Sequence, residues 1–231
     1  MFPQQPQQQF RTAGADVKIF YGASGGSSSG QIPDTAQQSW IKPAGISHVY
    51  MLLIGAGGNG DGTTVGGGSG AVTVWYGAAS NIPASLVVSV PGTTFGSLVP
   101  TTVSARFSNS GLTPTALLTA NQASTTTGAT AMSANQFTAS GFFKSTAGAN
   151  GASSAVSASA TTFLSAGTGS GAITANYGYG TPDVGNGFFQ LQPIIVGSGN
   201  SGTNNNIAAI GCGAAINPAA GGPGMVLIAS W

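Results

Sequence analysis

The stretch SHVYMLLIGAGGNGDGTTVGGGSG, residues 47–70, runs an apolar segment into two glycine clusters. After His48, every residue as far as Ile54 is apolar. Alternate residues of an extended chain point to opposite faces. Val49, Met51 and Leu53 therefore share one face, and Tyr50, Leu52 and Ile54 the other. Both faces are apolar, so the run reads as a central strand covered on both sides. Gly55, Gly57 and Gly60 then match G-x-G-x-x-G, the opening of a dinucleotide-binding unit. Such a unit needs a helix after the third glycine, whose first N–H groups hold a pyrophosphate. It also needs an acid about 20 residues further on, to bond the ribose. Here DGTTVGGGSGAVTVWYG follows, which starts no helix of useful length, and no carboxylate lies between Asp61 and Asp183. The motif fails both tests. The glycines read as a wide loop joining two strands.

Working outward, the same alternation recurs in short segments. AVTVWYG (71–77) places Val72, Val74 and Tyr76 on one face. DVKIFYG (16–22), SWIK (39–42), SLVVSV (85–90), TVSARF (102–107), TALLTA (115–120) and GMVLIASW (224–231) are further strands. TTFLSA around Phe163, AITANY around Ile173, FFQLQPIIVG from Phe188 and NIAAIG around Ile207 are later candidates. Gly-, Ser- and Pro-rich turns separate them. The middle, residues 109–186, is dominated by Ala, Ser, Thr and Gly, and reads as long surface loops or thin small-residue strands. No window carries apolar residues at helical spacing, and glycine costs about 1 kcal/mol relative to alanine inside a helix. The expected fold is all-β: a β-sandwich or jelly-roll-like domain with long Gly/Ser/Thr-rich loops and little or no helix.

Charge is the unusual quantity. Of 231 residues only 4% are charged, against about a quarter in an ordinary globular protein. Glutamate is absent, and the net charge is +1. Arg11, Lys18, Lys42, Arg106 and Lys144 are scattered, so they form no basic surface for nucleic acid. With 41% hydrophobic residues, many of them β-branched and in strand-like runs, the chain has enough to build a core. Glycine keeps no three-residue period, which excludes collagen. The one cysteine, Cys212, forms no internal disulfide and reads as a small buried residue. No apolar run approaches the roughly 20 residues that span a bilayer, and no signal peptide is visible.

Nothing in the sequence assembles a reaction centre. GASGG (22–26) and GSSSG (26–30) match the G-x-S-x-G hydrolase elbow, and Asp34 and His48 follow in order. The elbow needs a strand, a sharp turn and a helix, and SSSGQIPDT supplies a flexible loop. The four aspartates, Asp16, Asp34, Asp61 and Asp183, make no glycosidase pair, and no His/Cys/Asp group has metal-ligand spacing. His48, the only histidine, reads as a rim residue with a satisfied hydrogen bond. Trp40, Trp75 and Trp231 each fall in an expected strand and read as core or interface. The expectation is a non-enzymatic protein with no catalytic residue, cofactor or metal.

Residues 1–13, beginning MFPQQPQQQF, carry Gln and Pro and no core. They read as an extended docking arm, with Phe2, Pro3, Pro6, Phe10 and Arg11 making its contacts, ahead of a single domain over 14–231.

One arrangement spans both ends of residues 38–231. Trp40 precedes a turn with Pro43 and Gly45, and an apolar strand runs into Gly55–Gly58. A second cluster, Gly66–Gly70, leads into the next strand, and Gly222–Gly224 precedes a last apolar strand and Trp231. This pattern resembles the glycine-rich domain of phage tail-fibre or spike proteins and other virion structural proteins. The resemblance implies a virion part assembled in a host cytoplasm. With no heptads or shaft repeat ahead of the domain, it implies a compact capsid, vertex or spike-base component. Its partners would be copies of itself and other virion proteins, with no nucleic acid and no membrane insertion. Uncharged surfaces suit such contacts, because there is little Coulomb energy for salt to screen. Open sheet edges would be covered by loops, blunted by Pro83, Pro91 and Pro100, or paired with a neighbouring subunit. One alternative is a receptor-binding adhesin whose loops bind host surface glycan through Tyr177, Tyr179, Phe188 and Phe189. In that alternative's absence, NYGYG (176–180) is turn aromatics on a sheet edge. A further alternative is a cellular glycine-rich or ice-binding surface protein, to which STTTGAT (124–130) points.

Overall fold

A computed structural model of the chain describes residues 16–22, 37–91, 99–105, 116–133, 141–151, 153, 179–180, 194–195, 210–211, 213–214 and 221–231. Its strands are β1 (Asp16–Tyr21), β2 (Gln37–Ile41), β3 (His48–Ile54), β4 (Val72–Ala78), β5 (Ser85–Ser89) and β6 (Thr101–Ala105). They continue with β7 (Ala116–Ala120), β8 (Gly141–Thr146), β9 (Tyr179–Gly180), β10 (Ile194–Ile195) and β11 (Met225–Ser230). A single 3-10 turn, Ala79–Asn81, is the one helical element among the described residues. Five strands form an antiparallel sheet in the order β1-β11-β3-β4-β8. Four more form a second antiparallel sheet, β2-β5-β6-β7, and β9 pairs with β10.

β3 stands at the centre of the larger sheet, as its two apolar faces require. Val49, Met51 and Leu53 pack with Trp75, Val226 and Ile228 of their own sheet. Across from them, Trp40, Leu86, Val88, Val103 and Leu118 of the second sheet close the same core. The two sheets thus form a sandwich around one shared core. Each of these buried side chains stabilises the fold by about 1.5–3 kcal/mol relative to exposure. Tyr50, Leu52 and Ile54 face the other way and form a second buried cluster with Val72, Val74, Met225, Leu227 and Ala229. Ile210 packs against it. The alternating face of β5, SLVVS, places Leu86 and Val88 inward and leaves Ser85, Val87 and Ser89 half-buried.

Buried hydroxyls link the layers. The Thr73 hydroxyl donates to the Thr119 carbonyl at 2.7 Å and lies 2.8 Å from the Ser145 hydroxyl. Thr101 donates to the Ile54 carbonyl at 2.9 Å. Such bonds satisfy polar groups that would otherwise be stranded in the core. The fully buried Trp75 needs room beside it, and a side chain at Gly77 or Gly141 would strike its indole ring. Lys42 leaves β2 and donates to the carbonyls of Ala79 and Ile82, at 3.0 and 2.8 Å. It thereby satisfies acceptors at the 3-10 turn.

One reading of the sequence needs correction. Pro83, Pro91 and Pro100 do not blunt sheet edges. They flank β5 and β6, the inner strands of the second sheet, and delimit them, because proline donates no ladder bond. The edge strands are β1, β8, β2 and β7. In the small-residue middle, GFFKST forms β8, a true edge strand hydrogen-bonded to β4. The expected strands around Phe163 and Ile173 lie outside the described residues, as does the arm; of NIAAIG around Ile207 only Ile210 and Gly211 are described, and they form a turn. Within the run from Phe188, Ile194 and Ile195 form β10.

Candidate functional site

The larger sheet has two chemically different ends. β3 and β8 finish, and β4 and β11 begin, at the same end, because Ile54 pairs with Val72 and Met225, and Val72 with Thr146. The glycine clusters gather there. Gly58 N–H donates to the Gly68 carbonyl at 2.8 Å, and Gly67 N–H to Ala214 at 2.7 Å. Ala214 N–H returns to Gly58 at 2.9 Å, and Gly70 N–H donates to Gly211 at 2.8 Å. The segment after β7 joins through Ala123 N–H to Ala56, and through Thr125, whose carbonyl accepts from Gly60 and Gly68. The segment after β8 joins through Ser69 N–H to Ala149 and Gly148 N–H to Ala129.

These loops approach backbone to backbone. A methyl group at Gly55 would fall on the Asn121 carbonyl, at Gly58 on Ser124, at Gly67 on Gly58, and at Gly70 on Gly55. At Gly148 it would fall on Ser69, at Gly151 on Gly66, and at Gly221 on Gly57. Gly55 and Gly58, Gly67 and Gly70, and Gly148 and Gly151 are each three residues apart. Three residues is the turn of a polyproline-II chain, the geometry in which glycine is required wherever neighbouring chains pack closely. The glycine end is therefore a bundle of closely packed segments cross-linked by backbone hydrogen bonds. Residues 55–58 and 66–70 are buried in it.

The G-x-G-x-x-G motif lies inside this bundle. Its amides are spent on the protein itself: Gly55 donates to Ala71, Gly57 to Gly222, and Gly60 to Thr125. No helix follows Gly60. The chain turns through an exposed loop organised by Asp61, whose Oδ1 accepts the N–H groups of Thr63, Thr64 and Val65 at 2.8–2.9 Å. Thr64 also donates its hydroxyl to Oδ2 at 2.9 Å. These bonds, with Val65 N–H foremost, hold the Asp61 carboxyl well below the usual carboxylate range.

The opposite end of the larger sheet carries rings. His48, Tyr76 and Trp231 project from the face that also bears Tyr50, Leu52 and Val74. Their centroids are 5.7, 6.1 and 5.9 Å apart pairwise, with planes within 12–21° of parallel. In a column of three rings, the first and third would stand about twice as far apart as neighbours. Near-equal spacing of near-parallel rings describes a compact cluster of mutually offset rings instead. All three are half-buried. Phe142, opposite Tyr76 on β8, is exposed beside them. Ser47 Oγ lies 3.0 Å from His48 Nδ1, and Trp231 exchanges backbone bonds with His48. His48 is thus a hydrogen-bonded rim residue. Trp40 and Trp75 are core, while Trp231 belongs to the patch.

Of the residues singled out for contact from sequence, Phe2, Pro3, Pro6, Phe10, Arg11, Tyr177, Phe188 and Phe189 lie outside the described residues. Tyr179 pairs with Ile195 in β9. Cys212 and residues 23–36 also lie outside. Sequence reasoning missed the ring patch, although the alternation of β3 and β4 already set His48 and Tyr76 on one face. Among the described residues, no group of three or more His, Cys, Asp or Glu could hold a metal, and no helix is long and apolar enough to cross a membrane. The chain matches no protein-family model, and no curated protein matches it.

Proposed function

We propose that the chain is a non-enzymatic virion structural protein, a capsid, vertex or spike-base component, that assembles in a host cytoplasm through its β domain and N-terminal arm. The observation that carries this reading is the closure of the glycine clusters on one another. The positions that resemble the virion domain, Gly55–Gly58, Gly66–Gly70 and Gly222–Gly224, all contribute to one hydrogen-bonded bundle or its edge. Amides committed to neighbouring carbonyls are not offered to a phosphate or an oxyanion. The glycines support a structural role and no chemistry. Partners are further copies and other virion proteins. Deleting residues 1–13 tests the arm: the body should fold and fail to incorporate into the particle. Normal incorporation of the truncated chain would contradict the arm's role.

The half-buried ring cluster of His48, Tyr76 and Trp231 favours a second reading, a receptor-binding adhesin. Flat aromatic surfaces with a polar tip are the usual partners of amphipathic ligands such as sugar rings. In that reading Tyr177, Tyr179, Phe188 and Phe189 add to the contact. A glycan array probed with the full chain separates the two readings, since a shell component binds no glycan.

A further inference from the structure

β1 ends the larger sheet, and its outer edge has no partner strand among the described residues. Its side chains divide by face. Phe20 enters the shared core, and Asp16 and Lys18, on the same face, form an ion pair at 3.3 Å. Val17, Ile19 and Tyr21 lie on the other face at 40%, 44% and 54% exposure. Opposite them on β11 stand Ala229, Leu227 and Met225, all buried. The exposed stripe therefore continues a buried apolar face to the rim of the sheet. Its backbone has a matching polarity. Gly22 N–H donates inward to Gly224. In an antiparallel ladder, bonded residues alternate along the strand. The even-numbered residues of β1 thus bond to β11, and Val17, Ile19 and Tyr21 direct their N–H and C=O groups outward.

We propose that a second copy of the chain occupies this edge, with β1 pairing antiparallel to β1 of its partner about a two-fold axis at Ile19. The register sets Ile19 against the partner's Ile19, and Val17 against the partner's Tyr21. Every outward-facing backbone group of these three residues then has a partner, each residue pair exchanging both N–H···O bonds. The apolar stripe becomes continuous across the dimer. Sliding by one residue on each strand centres the pairing on Lys18, setting two like charges directly opposite each other, which is unfavourable. The other edge of the sheet does not offer this match. β8 carries Lys144 in the middle of the corresponding face, a charge of the kind that guards edges against pairing. The proposal deepens the assembly reading by naming the contact. It is tested on purified protein, where no virion need be present, so its failure and that of the virion reading are separable.

The test is the mass in solution of the full chain by light scattering over a concentration series, with circular dichroism to verify folding. Wild-type protein is expected to dimerise. Ile19→Lys, at an exposed site, is expected to stay folded and raise the dimer dissociation constant by roughly tenfold or more. Phe142→Lys on the β8 edge is expected to leave it unchanged. In a Cys212→Ser background, Ile19→Cys should cross-link under mild oxidation, since facing Cα atoms about 5.5 Å apart suit a disulfide. Tyr21→Cys, which faces the partner's Val17, should not. A monomeric wild type would overturn the proposal. So would a dimer indifferent to Ile19→Lys, or a dimer that cross-links through position 21 and not 19.

Discussion

Single residues of this protein act through backbone geometry more than through side-chain chemistry. Gly70 is the plainest case. Its amide bonds to Gly211 and its Cα faces the Gly55 carbonyl, so a methyl group has nowhere to go. Gly70→Ala should destabilise the fold by about 2 kcal/mol or more, the cost of forcing atoms into a packed site, read from the urea midpoint. An unchanged midpoint would contradict the close packing. Asp61 acts by accepting bonds. Because its folded pKa is lowered, it contributes stability above the unfolded value of about 3.9. That contribution is lost as pH falls from there toward the folded value. A carbon-detected titration should show no step for Asp61 between pH 5 and about 2.5. A midpoint near 4 would show that the loop bonds do not hold its charged form.

At the scale of the element, what the sequence discloses follows from which neighbour stabilises each strand. β3, β4, β5, β7 and β11 were legible because alternation and β-branched residues mark a strand whatever it pairs with. β8 was not, because Gly141–Thr146 sits among Ala, Ser and Gly. Its identity as a strand comes from β4, far away in the chain, through pairs such as Trp75 with Phe143. The bundle was illegible for the same reason. In no short loop does a spacing of three run beyond a single pair of glycines, and its meaning depends on partners such as Ala214 for Gly67 and Ser69 for Gly148. The reading that glycine keeps no three-residue period passed over the local spacing of three at Gly55 and Gly58, Gly67 and Gly70, and Gly148 and Gly151. STTTGAT, which hinted at an ice-binding surface, has a part in this packing, with Thr125 and Thr126 lending their carbonyls to glycine amides. The ring patch was within reach: His48 and Tyr76 are diagonal cross-strand neighbours, offset by two residues on one face, and only Trp231 depended on the pairing of β11 with β3.

At the scale of the molecule, the described residues form a sandwich whose larger sheet has a glycine bundle at one end, a cluster of rings at the other, and an apolar edge along β1 that no described strand covers. Each feature suits a part that is held by neighbours in an assembly and carries few charges. The account rests on the glycine loops being packed as tightly as the core. Amide hydrogen exchange measures this directly. The N–H groups of Gly58, Gly67, Gly68 and Gly70 should exchange as slowly as those of β3, while Gly62 in the exposed turn exchanges fast. If the four bundle amides exchange at the rate of Gly62, the loops are open to solvent and the account is wrong.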